Sequence, residues 1–119
     1  MHTILVVEDE SEIQELVKEI LEEHGYKVVQ AKTRDEAWKA FKSNSSLNVI
    51  FMDRKLGQNI TTDSLIVDIK RSDPFIIIVA FSGDEDSREQ QIKLGCSYGV
   101  SKSNRNEIIG LLDFILLQK

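Results

Sequence analysis

Apolar residues along this chain follow two alternating rhythms. Ile4-Leu5-Val6-Val7, Val49-Ile50-Phe51-Met52 and Ile76-Ile77-Ile78-Val79-Ala80-Phe81 are short unbroken runs, the pattern of strands buried on both faces of a parallel sheet. Between such runs apolar residues recur every three or four positions. Ile13, Leu16, Val17, Ile20 and Leu21 predict a first helix, with Ser11 and Gln14 as its capping box and Gly25 placed to stop it. Tyr26 to Ala31 reads as a second strand. Thr33 and Glu36 form another capping box ahead of Ala37, Trp38, Ala40 and Phe41, which puts Trp38 in the core or half-buried against it. The Ser43-Asn44-Ser45-Ser46 cluster is a turn before a third strand, Asn48 to Met52. A polar loop from Gly57 to Thr62 leads to a helix carrying Leu65, Ile66 and Ile69, and Pro74 marks the entry to the fourth strand. A fourth helix is predicted from about Glu85 to Leu94, ended by Gly95, then a short strand from Tyr98 to Ser101 and a last helix from Asn104 to Leu117.

The sum is five repeats of strand then helix. Right-handed crossovers restrict such a chain to an α/β doubly wound parallel sheet with helices on both faces. Ligands of open parallel sheets sit outside the carboxyl ends of the strands. Three of the apolar runs end there in polar residues: the first at Glu8-Asp9-Glu10, the third at Asp53, the fourth at Ser82. A dinucleotide site would need a glycine-rich turn after the first strand, and Glu8-Asp9-Glu10-Ser11 contains no glycine. Carboxylates there would repel a pyrophosphate, so the crevice calls for a cation. Two carboxylates at adjacent strand ends repel each other unless a cation binds, so Asp9 and Asp53 point to a site. Glu10 and Glu12 read as first-turn charges complementing a helix dipole, and His2 and His24 as surface residues.

Composition narrows the class. The chain has 119 residues, and 15 Lys and Arg against 20 Asp and Glu give a net charge of -5, which argues against a direct nucleic-acid or anionic-membrane footprint. Proteins and cations are the expected partners. Cys96 is the sole cysteine, so no internal disulfide or thiolate zinc cluster forms, and a buried inert thiol is expected. No apolar segment approaches the roughly 20 residues of a membrane span, and the amino terminus lacks a secretory core. The expected location is cytoplasmic, with no membrane insertion.

Glu8 and Asp9 after the first strand, Asp53 after the third, Ser82 followed by Gly83 after the fourth, and Lys102 after the fifth together resemble, over essentially the whole chain, the receiver domain of two-component response regulators. Leu94 to Lys102 also looks like the family's segment leading to its lysine. The resemblance implies a flavodoxin-like sheet of order 2-1-3-4-5 and transfer of a phosphoryl group from the histidine of a kinase or phosphotransfer protein onto Asp53. A carboxylate can attack phosphorus to form an acyl phosphate once the like charges are neutralised. Mg2+ suits that task, held by Asp9, Asp53 and the backbone carbonyl of Lys55, with Glu8 holding a metal-bound water. Lys102 would supply further positive charge, and Ser82 would hydrogen-bond a phosphate oxygen. Taken alone, Ser82 also reads as an N-cap, for which Asp84 competes, and Lys102 as a surface lysine.

Some positions depart from the family. Where it usually places an inward-turning aromatic, three residues before the lysine, this chain has Gly99, with Tyr98 just before it. The switch aromatic is thus missing or displaced. Ser103 replaces a proline that forms a cis peptide, so a trans Lys102–Ser103 bond is expected. Arg54 and Lys55 place two cations beside the site, and Gly57 stands where proline is common. Lys55 and Asp84 fall at positions that overhang the phosphoryl group in the family, and a salt bridge between them would shield an acyl phosphate from water.

The expectation is a single receiver domain over 1–119, either stand-alone or excised from a longer protein, with the Met1 start favouring the stand-alone type. It would be a phosphoacceptor signalling domain, not an enzyme beyond its own phosphorylation and dephosphorylation, acting through a downstream protein target or a phosphorelay. Alternatives are a pseudo-receiver that only binds and a phosphatase of the haloacid dehalogenase type, although that family's nucleophile follows the first strand in an Asp-x-Asp pattern absent here. On the last helix Ile108, Leu111, Leu112 and Ile115 make a core stripe, while Phe114 and Leu117 fall outside it. That exposed apolar surface, with the family's helix 4, strand 5 and helix 5 face, implies partner binding or a homodimer.

Overall fold

The computed structural model describes residues 2–57, 59–102 and 104–117. Its elements follow the order β1 (Thr3–Val7), α1 (Ser11–Glu23), β2 (Lys27–Ala31), α2 (Arg34–Ser43), β3 (Leu47–Met52), α3 (Asp63–Ser72), β4 (Ile77–Phe81), α4 (Glu85–Leu94), β5 (Tyr98–Val100) and α5 (Arg105–Leu116). All strands are parallel, in the order β2-β1-β3-β4-β5. This is the flavodoxin-like arrangement expected from the sequence.

Side chains alternate faces along a strand, so each unbroken apolar run feeds two cores. Leu5, Val7, Ile50, Met52, Ile78 and Ala80 pack with Ala37 of α2 and Leu65, Ile66 and Ile69 of α3. Ile4, Val6, Phe51, Val79 and Phe81 pack with Val17 and Leu21 of α1 and Ile108 and Leu112 of α5. Helix α4 joins the α2 and α3 face through Leu94 and its contacts with α3. Trp38 is half-buried beside Phe41, with ring centroids 5.7 Å apart. Cys96 is buried, which pushes its thiol pKa up to about 12 and leaves it inert. No helix among the described residues is long and apolar enough to cross a membrane.

The first helix corrects one expectation. Glu10, not Ser11, occupies its N-cap, with no side-chain cap, and Gln14 turns inward instead. The buried Gln14 amide nitrogen lies 3.0, 3.0 and 2.9 Å from the carbonyls of Val6, Glu8 and Ala31, which share its two N–H groups. A carbonyl left buried and unpaired costs about 1 to 3 kcal/mol, so an amide that serves the ends of β1 and β2 outweighs a cap exposed to water. Leu16, placed on the apolar stripe by spacing, is 50% exposed.

At α2 the expected cap is made. Thr33 Oγ1 accepts the Glu36 N–H at 3.1 Å, and Glu36 reaches back to the N–H of Lys32 at 2.8 Å. Thr33→Ala should therefore lower stability by about 1 kcal/mol, seen as a lower denaturant midpoint at unchanged slope. An unchanged midpoint would remove the cap from the account.

Candidate functional site

Parallel pairing brings the polar strand ends together. The Asp53 N–H donates to the carbonyl of Val7 at 3.0 Å and the Glu8 N–H to that of Ala31 at 3.0 Å, so the residues after β1 and β3 sit side by side. Carboxylate oxygens of Glu8, Asp9 and Asp53 lie within 4.8 Å of one another. Glu8 and Asp53 are buried and Asp9 half-buried. From beyond β5 the Lys102 ammonium reaches in, 2.9 and 3.0 Å from the Glu8 oxygens and 2.7 Å from Asp53 Oδ2.

The electrostatics of this cluster are unbalanced. Burial first, then the hydrogen bond with Asp53, pushes the Glu8 carboxyl up to about 8. Burial alone would lower the Lys102 pKa, but hydrogen bonds to Asp53 and Glu8 outweigh it and hold the ammonium above the ordinary lysine value. One ammonium serves Glu8 and Asp53 with Asp9 beside them, so the cluster lacks positive charge and has the oxygen-only donors that a hard divalent cation takes.

Around Asp53 the loops are tied down. Thr62 Oγ1 donates to the Asp53 carbonyl at 2.6 Å, and the Thr62 N–H to the Arg54 carbonyl at 2.8 Å. Gly57, where proline is common in the family, has φ of +83°, a left-handed conformation closed to proline. The Arg54 guanidinium is committed to Asp63 on α3 at 3.2 Å, so it is not a free cation beside the site as the sequence suggests. Lys55 is exposed, and its N–H approaches Asp53 Oδ1 at 3.4 Å.

The expected Lys55–Asp84 bridge is not made among the described residues. Asp84 instead caps α4, accepting the Ser87 N–H at 2.9 Å, and that bond holds its carboxyl below the usual carboxylate value. A backbone N–H two or three residues away is already in place, whereas a bridge to an exposed lysine must also order a long side chain. Ser82 is accordingly not the cap. Its hydroxyl lies 3.4 Å from Asp53 Oδ1, accepts the Arg54 N–H at 3.1 Å and donates to Gln91 Oε1 at 2.7 Å.

Sequence reasoning overlooked Gln91 and Arg88. Gln91 is fully buried and its amide also donates to the Met52 carbonyl at 2.7 Å. Arg88 donates to the Ser82 carbonyl at 2.7 Å. The available signal was the spacing of Ser87 and Gln91, four apart on the inner face of a helix with little apolar character.

The structure also settles the displaced aromatic. Tyr98 and Gly99 are consecutive in β5 and so face opposite sides of the sheet. Tyr98 packs on the α5 side, its ring edge-on to Phe114 at 6.1 Å. On the α4 side a Cβ at Gly99 would meet the Arg88 stem at 3.5 Å and Ile92 at 3.7 Å, so these side chains fill the space of the missing ring. Phe114 and Leu117 are exposed as expected, at 51% and 75%. The expected trans Lys102–Ser103 peptide lies outside the described residues.

Known proteins place this arrangement. The family model for the response regulator receiver domain matches residues 4–113. The phosphate regulon transcriptional regulatory protein PhoB of Pseudomonas aeruginosa is 28% identical over 123 residues, covering 96% of this chain but 51% of that protein. The chain thus spans about half the length of this curated relative. Among solved structures, the response regulator TrrA of Thermotoga maritima, captured with Mg2+ and BeF, is 28% identical, with TM-score 0.88 over 98% of this chain and all of that one. A receiver domain from Clostridium thermocellum is 24% identical and shares the fold at TM-score 0.87, covering 99% of this chain and 96% of the other. Family match and fold agree from the first strand to the last helix, and the chain belongs to the response regulator receiver domains.

Proposed function

We propose that Asp53 accepts a phosphoryl group from the phosphohistidine of a kinase or phosphotransfer protein, and that the modified chain signals to a downstream protein or passes the group on. The observation that carries this reading is the buried Asp53 carboxylate held 2.7 Å from the Lys102 ammonium beside Glu8 and Asp9. A carboxylate oxygen of Asp53 forms the new bond to phosphorus. The phosphorus–nitrogen bond to the histidine breaks, its electron pair leaves on the imidazole nitrogen, and that nitrogen takes up a proton.

Charge and placement do most of the work in such a loose transfer. Lys102 keeps its proton throughout and neutralises charge on the transferred group. Ser82 and the N–H of Lys55, both 3.4 Å from Asp53 Oδ1, stand where they can donate to phosphoryl oxygens. Asp9, Asp53 and the Lys55 carbonyl would hold Mg2+ directly and Glu8 through a water, and the ion would neutralise the charge that otherwise keeps carboxylate and phosphoryl group apart. Thermotoga TrrA, crystallised with Mg2+ and BeF, supports the same use here. Location in the cytoplasm fits this signalling role.

Incubation with a small phosphodonor such as acetyl phosphate tests the reading by intact mass. One phosphoryl group per chain should appear with Mg2+ and none with a chelator. Equal labelling in both would remove the metal from the account.

Proton linkage gives a second check. In metal-free buffer the folded chain keeps a proton on Glu8 from the ordinary 4.5 up to about 8, where the unfolded chain has lost it. The folded state binds more protons there, so stability should fall as pH rises across that window. Added Mg2+ should restore most stability at its alkaline end. Denaturant titrations across the window would contradict the cluster's electrostatics if the metal-free profile were flat.

A further inference from the structure

Helix α4 grips Ser82 at both ends. The hydroxyl donates to Gln91 Oε1 at 2.7 Å, and the carbonyl accepts from Arg88 at 2.7 Å. Gln91 also donates to the carbonyl of Met52 at 2.7 Å, so one fully buried side chain ties α4 to the end of β3 and to the residue after β4. A serine hydroxyl carries a single proton to donate. It cannot give that proton to Gln91 and to an anion on Asp53 at once.

We infer that Gln91 is a positioning residue that latches the Ser82 hydroxyl in the resting chain and carries its release to α4. The inference rests on Asp53 as phosphoacceptor. A phosphoryl oxygen offers Ser82 a charge-assisted bond stronger than the neutral bond to an amide oxygen. When the hydroxyl turns toward it, Gln91 Oε1 loses its donor while buried, a state that is costly to leave unrelieved. Movement of α4 relieves it by carrying Oε1 to water or to another donor. Gly99 offers no ring to follow Ser82, and the Arg88 stem covers the place where one would sit, so the signal passes through α4 itself.

Beryllofluoride with Mg2+, a stand-in for a phosphoryl group on aspartate, can be titrated into wild type, Gln91→Leu, Ser82→Ala and the double mutant. Amide NMR shifts along α4 are read in each. Wild type should bind with shifts moving from Gln91 to Leu94. Gln91→Leu should bind about fivefold tighter, because no hydrogen bond of roughly 1 kcal/mol is broken. Ser82→Ala should bind more weakly with α4 shifts that do not move, since its α4 already sits released, and Gln91→Leu should change nothing further in that background.

A Gln91→Leu chain that binds like wild type, or alters binding equally in both backgrounds, overturns the latch. Should that variant not fold, wild type against Ser82→Ala decides, and α4 shifts that move equally in both overturn it. Wild type that binds no beryllofluoride overturns both the phosphoacceptor reading and the latch; binding without coupling to Gln91 overturns the latch alone.

Discussion

Asp53→Asn should form no acyl phosphate under conditions that fully modify the wild-type chain. An amide in place of the carboxylate has no anionic oxygen to attack phosphorus, and loss of the nucleophile in other covalent catalysts costs on the order of 10^6 in rate. The fold should survive the change. Asparagine keeps the shape of Asp53, removes one negative charge from a cluster short of positive charge, and retains a carbonyl oxygen to accept from Lys102. Stability equal to or above wild type, with labelling abolished, is the paired outcome that separates a lost nucleophile from a lost fold. Undiminished acyl phosphate in the variant would assign the acceptor elsewhere.

Lys102→Ala should be the most damaging change at the site for stability and transfer together. Its ammonium is the shared partner of Glu8 and Asp53, whose side chains are 0% and 7% exposed. Removing one member of a buried ion pair strands the other, here the Asp53 carboxylate, a loss of up to about 3 to 5 kcal/mol. Mg2+ should recover part of that stability, since a cation binding the folded cluster replaces the missing charge. Phosphoryl transfer should not recover to the same extent. Deleting one group that stabilises developing charge typically slows transfer about 10^2 to 10^3-fold. Denaturant unfolding with and without Mg2+, beside a phosphorylation time course, measures both. A variant with wild-type stability and rate would make Lys102 a surface lysine.

Much of this was legible because the physics is one-dimensional where it matters. A strand buried on both faces must be apolar at every position, so Ile4 to Val7 and Val49 to Met52 announce themselves and mark where polar residues begin. Parallel order then brings Glu8, Asp9, Asp53 and Ser82 to one edge, which the ends of the apolar runs predict, while Lys102 and the strand order came from the family resemblance. What escaped were choices between competing hydrogen bonds. Gln14 sits at a position that suits a capping box, but three carbonyls at the ends of β1 and β2 claim its amide. Asp84 faces both Lys55 and the first turn of α4, and the nearer N–H of Ser87 wins. Gln91 left no apolar signature, because α4 presents polar Ser87 and Gln91 to the interior. Whether Tyr98 could replace the ring absent at Gly99 is decided by strand parity, visible once β5 is known to begin at Tyr98.

The central claim is that this cluster makes Asp53 the site of phosphorylation. Wild-type chain treated with acetyl phosphate and Mg2+, digested and mapped by tandem mass spectrometry, should carry its phosphoryl group on Asp53 and on no other residue. A group found on Asp9 would favour a phosphatase-like chemistry, and a chain that takes up none would contradict the account altogether.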